Sequence, residues 1–360
     1  MFLVQCKAFS DKMENSTYYN IGLQFIEACV DIEYLSWLIW LFTPVVVTFL
    51  LPLVIIFLLY LSALFLYLYR YRHRLKDAYS RDFWNGARNT IATLWGAHGW
   101  IWHGYEVDGF ENIPDSSPAL LVYYHGAIPI DYYYLMSKCF VEKQRLIRAV
   151  GDQFLFRIPG YVLTSYLNSK PTEFYQWFCW LHISYNSKIK HRKGWNILLE
   201  VLKVSPGSIQ SCVQTLEEGH LLSISPGGVL EAQFSDENYH LLWGKRIGFA
   251  KVALKAKVPV IPIFTKNVRE SFRSISIGRR LFRKVYDKLR LPVVPVYGGF
   301  PVKLTTIIGK PIPFDPNLTP EELARKTAEA IQNLIKTHQK IPGSILRALF
   351  ERIYEKRKNI

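Results

Sequence analysis

The apolar and polar positions divide the chain into two very different parts. From Tyr34 to Tyr69 the residues run YLSWLIWLFTPVVVTFLLPLVIIFLLYLSALFLYLY, 36 positions without a charged side chain, where a helix crossing a bilayer needs about 20. A buried helix of a soluble domain is shorter and keeps a polar face, so this run predicts a membrane-embedded element. Pro44 and Pro52 interrupt it, and each removes a helix hydrogen bond. The run therefore reads as one long kinked helix or as two short helices folded into a hairpin. Further along, apolar runs alternate with amphipathic stretches. Strands are expected over Ala119–Tyr124, Leu146–Val150, His220–Ser225, Val258–Phe264 and Val302–Gly309, and helices over Leu75–Trp100, Asp131–Phe140, Ser208–Glu218, Lys245–Ala256 and Pro320–His338. Such alternation predicts an α/β fold, a sheet with flanking helices. The last helix marks its own start, with Thr319 as cap, Pro320 at the first position and Glu322 completing a capping box. The chain thus divides into a tail (1–33), the membrane segment (34–69), a basic juxtamembrane linker and helix (70–118), a main domain (119–340) and a basic amphipathic tail (341–360). Ile345–Lys358 in that tail suits either a membrane-surface helix or packing on the domain.

Charge adds orientation. The formal net charge is +15, and Arg70, Arg72, His73, Arg74 and Lys76 follow the apolar run directly. The positive-inside tendency places that end, and the main domain with it, in the cytosol. The basic surplus suits anionic lipid headgroups or phosphorylated ligands, though a solvated basic surface has the same composition. No nucleic-acid partner is expected. The tail holds an Asn15-Ser16-Thr17 sequon, an acceptor only where the tail is lumenal. The five cysteines contain no C-x-x-C pair, which argues against a zinc site or a disulfide framework. No removable signal peptide is expected.

Candidate chemistry begins at YYHGAIPIDYYY, where His125 and Asp131 interrupt an apolar and aromatic run. His125 follows a predicted strand and precedes Gly126, at the strand-to-loop edge where α/β folds expose reactive groups. A histidine can take a proton from an alcohol near neutral pH, and a nearby carboxylate can fix its tautomer. The same two residues also suit a structural hydrogen-bonded pair. About 100 residues later ISPGGVLEA places Pro226, Gly227 and Gly228 in a turn after a strand, followed by Glu231. Paired glycines let backbone approach a ligand and offer N–H donors. The Ser223-x-Ser225-x-Gly227 spacing half matches a serine-hydrolase elbow, but the first glycine is missing and Pro226 has no N–H for an oxyanion hole.

Together these motifs resemble the membrane-bound glycerolipid acyltransferases, whose H-x-x-x-x-D, Pro/Gly-plus-Glu and V-P-hydrophobic-x-P elements are matched by His125 with Asp131, by Pro226, Gly227, Gly228 and Glu231, and by Val258-Pro259-Val260-Ile261-Pro262. Gly151, Phe154 and Arg157 of GDQFLFR resemble the G-x-x-F-x-x-R element that contacts the acceptor in the glycerol-phosphate branch. Within the superfamily His125-Gly126 and Gly227-Gly228-Val229-Leu230-Glu231 are most similar to the type 2 diacylglycerol and monoacylglycerol acyltransferase group. The runs HLLSISPGG, FSDENYHLLWG, KVPVIPIFTKNVRESFRS and YGGFPVKLTTIIGKPIPFDP extend the resemblance over nearly all of the chain.

The resemblance implies a membrane-anchored O-acyltransferase of the endoplasmic reticulum, catalytic domain facing the cytosol. The acceptor would be mono- or diacylglycerol, with a lysophospholipid or glycerol phosphate as the alternative, and a non-catalytic lipid-binding protein as a further one. His125 would be the general base and Asp131 its orienting partner. Gly126, Gly151, Phe154, Arg157, Pro226, Gly227, Gly228 and Glu231 would bind substrate, with donors near Gly227 and Gly228 holding the oxyanion. No metal or bound cofactor is implied; acyl-CoA or another acyl lipid is consumed as cosubstrate, and membrane lipids are the expected partners. The basic run Arg269, Arg273, Arg279, Arg280, Arg283 and Lys284 would attract the membrane surface or hold a phosphate.

The pattern departs from the family in three places. Five residues, not four, separate His125 from Asp131, and Tyr123 stands where the type 2 group has the first His of H-P-H-G. Residues from about 161 to 194 have no counterpart, and removing them joins Ile158-Pro159-Gly160 to Trp195-Asn196-Ile197 in a continuous helical pattern. They read either as a lineage-specific insert or as a translated intron.

Overall fold

The computed structural model describes residues 32–73, 83–157 and 195–358. The sequon and the 161–194 segment lie outside these residues. The chain forms two compact units, Met1–Leu51 and Pro52–Ile360.

The apolar run is one helix, α1 (Ile32–Arg72), rather than a hairpin. Pro44 and Pro52 sit within it. In the first unit, Thr43 and Thr48 turn their hydroxyls onto the helix's own carbonyls of Ile39 and Val45, which satisfies both donors within the helix. In the second unit, Ile55, Leu59, Ala63 and Leu66 form a buried stripe at helical spacing and pack into the domain core.

The remaining elements follow as α2 (Asn85–His103), β1 (Glu106–Asp108), β2 (Ala119–Tyr123), α3 (Ile130–Lys143), β3 (Ile147–Gly151), α4 (Trp195–Val201), β4 (Val204–Pro206), α5 (Ile209–Glu217), β5 (Leu221–Ile224), α6 (Gly228–Phe234), α7 (Gly248–Ala256), β6 (Val260–Lys266), α8 (Val268–Ser271), β7 (Phe272–Ser274), α9 (Arg279–Leu289), β8 (Val296–Gly298), β9 (Thr305–Ile308), α10 (Pro320–His338) and α11 (Ile345–Lys358). Seven strands make one sheet in the order β1-β9-β6-β2-β5-β3-β4, while β7 and β8 form a separate antiparallel pair. Pairing in the large sheet is parallel except between β6 and β9.

The five expected strands are all present, and α10 spans Pro320–His338 with its capping box formed. The strands that patterning misses, β1, β4, β7 and β8, are three residues each, too short for a period-2 signal. One of them, β1, places the stretch before Ala119 in the sheet.

β2 lies near the middle of the sheet and is covered on both faces, which explains its unbroken apolar run. Ala119 and Leu121 meet α1, α2 and α3 on one side, whereas Leu120, Val122 and Tyr124 meet α5, α7 and α10 on the other. Each fully buried large side chain in these clusters contributes about 1.5–3 kcal/mol. The C-terminal helix packs on the domain: Ala348 is buried, and the Arg352 guanidinium donates to the carbonyls of Ile101, Trp102 and Pro301.

Candidate active site

β2 and β5 are adjacent and parallel, with Val122 opposite Ile224. The loops that carry His125 and Pro226-Gly227 therefore leave the same edge of the sheet, the carboxyl edge where open α/β sheets bind ligands. His125 is half-buried, and its Nδ1 lies 2.7 Å from the Gly126 carbonyl oxygen. A carbonyl only accepts, so in the neutral ring Nδ1 carries the hydrogen and Nε2 the lone pair. Burial pulls the imidazole pKa down to about 4; the Gly126 bond opposes this, the Arg269 guanidinium adds to it, and the Asp152 carboxylate opposes it. The ring is thus neutral at physiological pH with Nε2 ready to accept a proton.

Asp131 is not the partner of that ring. It occupies the first turn of α3, faces the sheet, and accepts a hydrogen bond from the Thr265 hydroxyl on β6. Thr265 Oγ1 lies 2.9 Å from Thr306 Oγ1, which accepts from the Tyr105 hydroxyl at 2.8 Å. The three hydroxyls form a chain ending on the carboxylate. The other carboxylate oxygen, Oδ1, is buried with no hydrogen-bond partner among the described residues, and the side chain borders a cavity of about 10 Å³ shared with Tyr123, Tyr132, Ser223 and Thr265. That volume holds about one water. Burial raises the Asp131 pKa to about 6. Helix α3 starts at Ile130, directly after Pro129, and its first turn sets Asp131 against the sheet cavity.

Glu231 is fully buried in α6. Its carboxylate accepts the backbone N–H of His125 at 2.9 Å and that of Leu242 at 3.0 Å. It therefore ties the histidine loop to the Pro-Gly-Gly turn's helix. Burial pushes its pKa up to about 7 against these bonds and the Arg269 charge. Arg269 completes the tie from α8. Its buried guanidinium donates to the Tyr124 hydroxyl at 2.8 Å, to the carbonyl of Ala232 at 3.0 Å, to that of His125 at 3.2 Å, and to that of Glu231. Tyr124 in turn shares a 2.6 Å hydrogen bond with Ser235.

The glycines serve this packing. At Gly227 a Cβ would lie 2.6 Å from Glu231 Oε2 and closer still to that residue's Cβ and Cδ. Gly126 faces the Val268 side chain at equally short range, and Gly151 faces Val204. The Gly228 N–H is used by the Ser225 carbonyl at 3.2 Å, and Arg246 clamps the Pro226 and Gly227 carbonyls at 3.0 and 2.8 Å. Gly126 and Gly227 thus closely approach the chain's own side chains. We expect Gly227→Ala to displace the Glu231 carboxylate and destabilise the domain by about 1–3 kcal/mol, seen as a fall in Tm in detergent with a parallel loss of acyl transfer; an unchanged Tm would contradict this packing.

The GDQFLFR element starts at the end of β3. Phe154 packs with Val229, Phe234, Tyr286 and Val294, between the turn's helix and α9; Arg157 ends a 3-10 turn at the limit of the described residues. Ser223 donates to the Tyr132 hydroxyl and the Arg148 carbonyl, and the Ser225 hydroxyl has no hydrogen-bond partner among the described residues; no histidine among the described residues bonds to either hydroxyl. Arg269, which belonged to the basic run, is an interior residue. The run VRESF brackets Arg269 and Glu270 with Val268 and Phe272, a faint signal of burial. Asp152, the carboxylate acting on His125, carried no motif signal.

Comparison with known proteins gives the chain's relatives. The family model described as diacylglycerol acyltransferase matches residues 172–357. A protein of Bos taurus named "DGAT1/2-independent enzyme synthesizing storage lipids" is 48% identical over 343 residues, 93% of this chain and 92% of its own. The Homo sapiens protein of the same name is 50% identical over 323 residues, 90% of this chain and 89% of its own. A crystal structure of the 1-acyl-sn-glycerophosphate acyltransferase PlsC from Thermotoga maritima aligns over 77% of this chain and 97% of that one, at 17% identity and a TM-score of 0.43, too loosely to inform the site.

Proposed function

Because the chain belongs to the diacylglycerol acyltransferase family and is therefore a glycerolipid acyltransferase, we propose that His125 is its general base and that the acceptor is a neutral glycerolipid, mono- or diacylglycerol. The observation that carries the assignment of His125 is the place of its ring at the carboxyl edge of β2, with Nδ1 2.7 Å from the Gly126 carbonyl oxygen, a bond that leaves the lone pair on Nε2. Nε2 takes the proton of the acceptor hydroxyl as its oxygen attacks the thioester carbonyl of acyl-CoA. The C–S bond then breaks, and the imidazolium returns the proton to the departing thiolate, leaving the acylated glycerolipid and free coenzyme A. Tautomer control comes from Gly126 rather than Asp131. Glu231 and Arg269 hold the loop in place.

A neutral acceptor agrees with relatives named for storage-lipid synthesis, since such lipids dissolve in the bilayer. We also propose that α1 spans the membrane of the endoplasmic reticulum. Its apolar side chains, among them Trp40, Phe42, Val46 and Phe57, are exposed, and Arg70 and Arg72 occupy the last turn, which favours a cytosolic site.

The test is labelled acyl transfer in membranes carrying the protein, with mono- and diacylglycerol and lysophosphatidate offered in turn. Neutral-lipid product is expected; phospholipid product alone would replace the acceptor assignment. The pH profile reads the base directly. His125 must be unprotonated to act, so the acid limb is expected near pH 4, not near the ordinary histidine value of about 6.5. An acid limb at 6 or above would contradict the neutral ring.

A further inference from the structure

A second pocket lies at the opposite edge of the sheet from His125. Arg145 precedes β3, His220 precedes β5 and Lys203 precedes β4, and they line a cavity of about 620 Å³ with Arg88 and Arg148. Four permanent cations face this space, and none of its described lining residues is a carboxylate. Glu218 reaches the rim by pairing with Arg148 at 3.3 Å and with His220 at 3.8 Å, and Asp115, paired with Lys143, acts on Arg145 from outside the lining. The Arg145 guanidinium is fixed by the carbonyls of Pro114, Ser117 and Gly219, dipoles that position a cation without neutralising it. Burial holds the His220 pKa below its ordinary value, with Arg148 and Arg145 adding to the effect and Glu218 opposing it. A strand's length of roughly 15 Å separates this edge from the catalytic one, so the pocket is not part of the acyl-transfer site.

Its place along the chain points to the ligand. α2, which supplies Arg88, begins directly after Phe83 and Trp84, whose rings lie 5.4 and 6.2 Å from the ring of Tyr69 near the end of α1. Aromatic side chains followed by Arg70 and Arg72 mark the level at which an apolar helix passes into the headgroup region. Arginine forks match phosphate oxygens in geometry and charge. We propose that this pocket binds a phosphate group presented by an anionic phospholipid of the membrane that holds α1. The inference rests on the membrane anchoring argued above. A phosphate could also come from a soluble molecule such as coenzyme A, and the test separates the two sources.

Full-length protein is placed in phosphatidylcholine nanodiscs with and without phosphatidate, released into mild detergent, and its retained lipids counted by native mass spectrometry. The wild-type chain is expected to retain phosphatidate over phosphatidylcholine by on the order of tenfold or more, as two charge-assisted hydrogen bonds would give. Arg148→Gln with Lys203→Gln is expected to lose the preference, while Arg280→Gln with Lys284→Gln on α9 keeps it, all three proteins melting alike. Equal retention of both lipids, or a preference untouched by the pocket variant, would overturn the site. Displacement of the lipid by coenzyme A at concentrations where inorganic phosphate leaves it bound would overturn the headgroup as its ligand. Alkaline carbonate extraction of the same membranes judges the anchoring independently: protein left in the pellet with no lipid preference sinks the pocket alone, and protein released to the supernatant sinks the anchoring and the bilayer source together.

Discussion

His125→Ala is expected to lower acyl transfer by about two to four orders of magnitude, the usual contribution of a positioned general base. The protein should remain folded, because the bond from position 125 to Glu231 uses the backbone N–H and the bond from Arg269 uses the backbone carbonyl; both survive truncation of the ring. Steady-state transfer in membranes, normalised to folded protein, reads the effect. A variant with wild-type rate would remove His125 from the chemistry. Asp131→Asn makes the sharper comparison. Asp131 meets Thr265 and not the imidazole, so its loss acts through the packing of α3 on the sheet. We expect Tm to fall, with the acid limb left where His125 puts it. A large rate loss at unchanged Tm would return Asp131 to the role that the family resemblance implies.

Arg269→Met is expected to prevent stable folding. The substitution keeps much of the side chain's volume, yet leaves the Tyr124 hydroxyl and the carbonyls of His125, Glu231 and Ala232 without that donor. A buried group left unsatisfied costs about 1–3 kcal/mol, and several together rival the roughly 5–15 kcal/mol by which a domain is stable. The Arg269 charge also opposes the effect of burial on Glu231. Yield of monodisperse protein on gel filtration in detergent measures the outcome, and Arg269→Lys should recover only part of it, since an ammonium cannot reproduce the guanidinium's planar fork. Wild-type yield from the methionine variant would show that the tie is dispensable. Surface arginines on α9, such as Arg280, should tolerate the same change.

Much of the fold was legible because its elements are written locally. The α10 helix begins where Thr319, Pro320 and Glu322 place it, since a capping box satisfies helix donors within four residues. β2 was legible for a different reason: both of its faces are covered, so its run is apolar throughout. The proline-interrupted apolar run allowed a kinked helix or a hairpin, and neither proline signals which, because a helix of this length can continue past a lost hydrogen bond where a hairpin would need a turn. The motifs marked the candidate site for similar reasons. His125 and Gly227 stand at the ends of strands that local pattern already assigned, and parallel neighbours deliver their loops to one edge.

The partners of those motif residues were decided elsewhere. Whether Asp131 reaches His125 or Thr265 depends on where α3 starts and how it sits on β6, a strand more than 120 residues away in the chain. Glycines 126 and 227 look alike as ligand-facing turns or as packing sites until Val268 and Glu231 are set beside them. Arg269 belongs by composition to a basic surface run, and becomes interior only because β6 lies next to β2 and so brings α8 under the histidine loop. Residue order alone thus determined the apolar run, the central strands, the candidate histidine and the family, each written in near neighbours or in motifs. Tertiary structure alone decided which polar groups meet, because a buried carboxylate or guanidinium is satisfied by whatever the sheet register brings within about 3 Å, and register is a property of strands far apart in sequence.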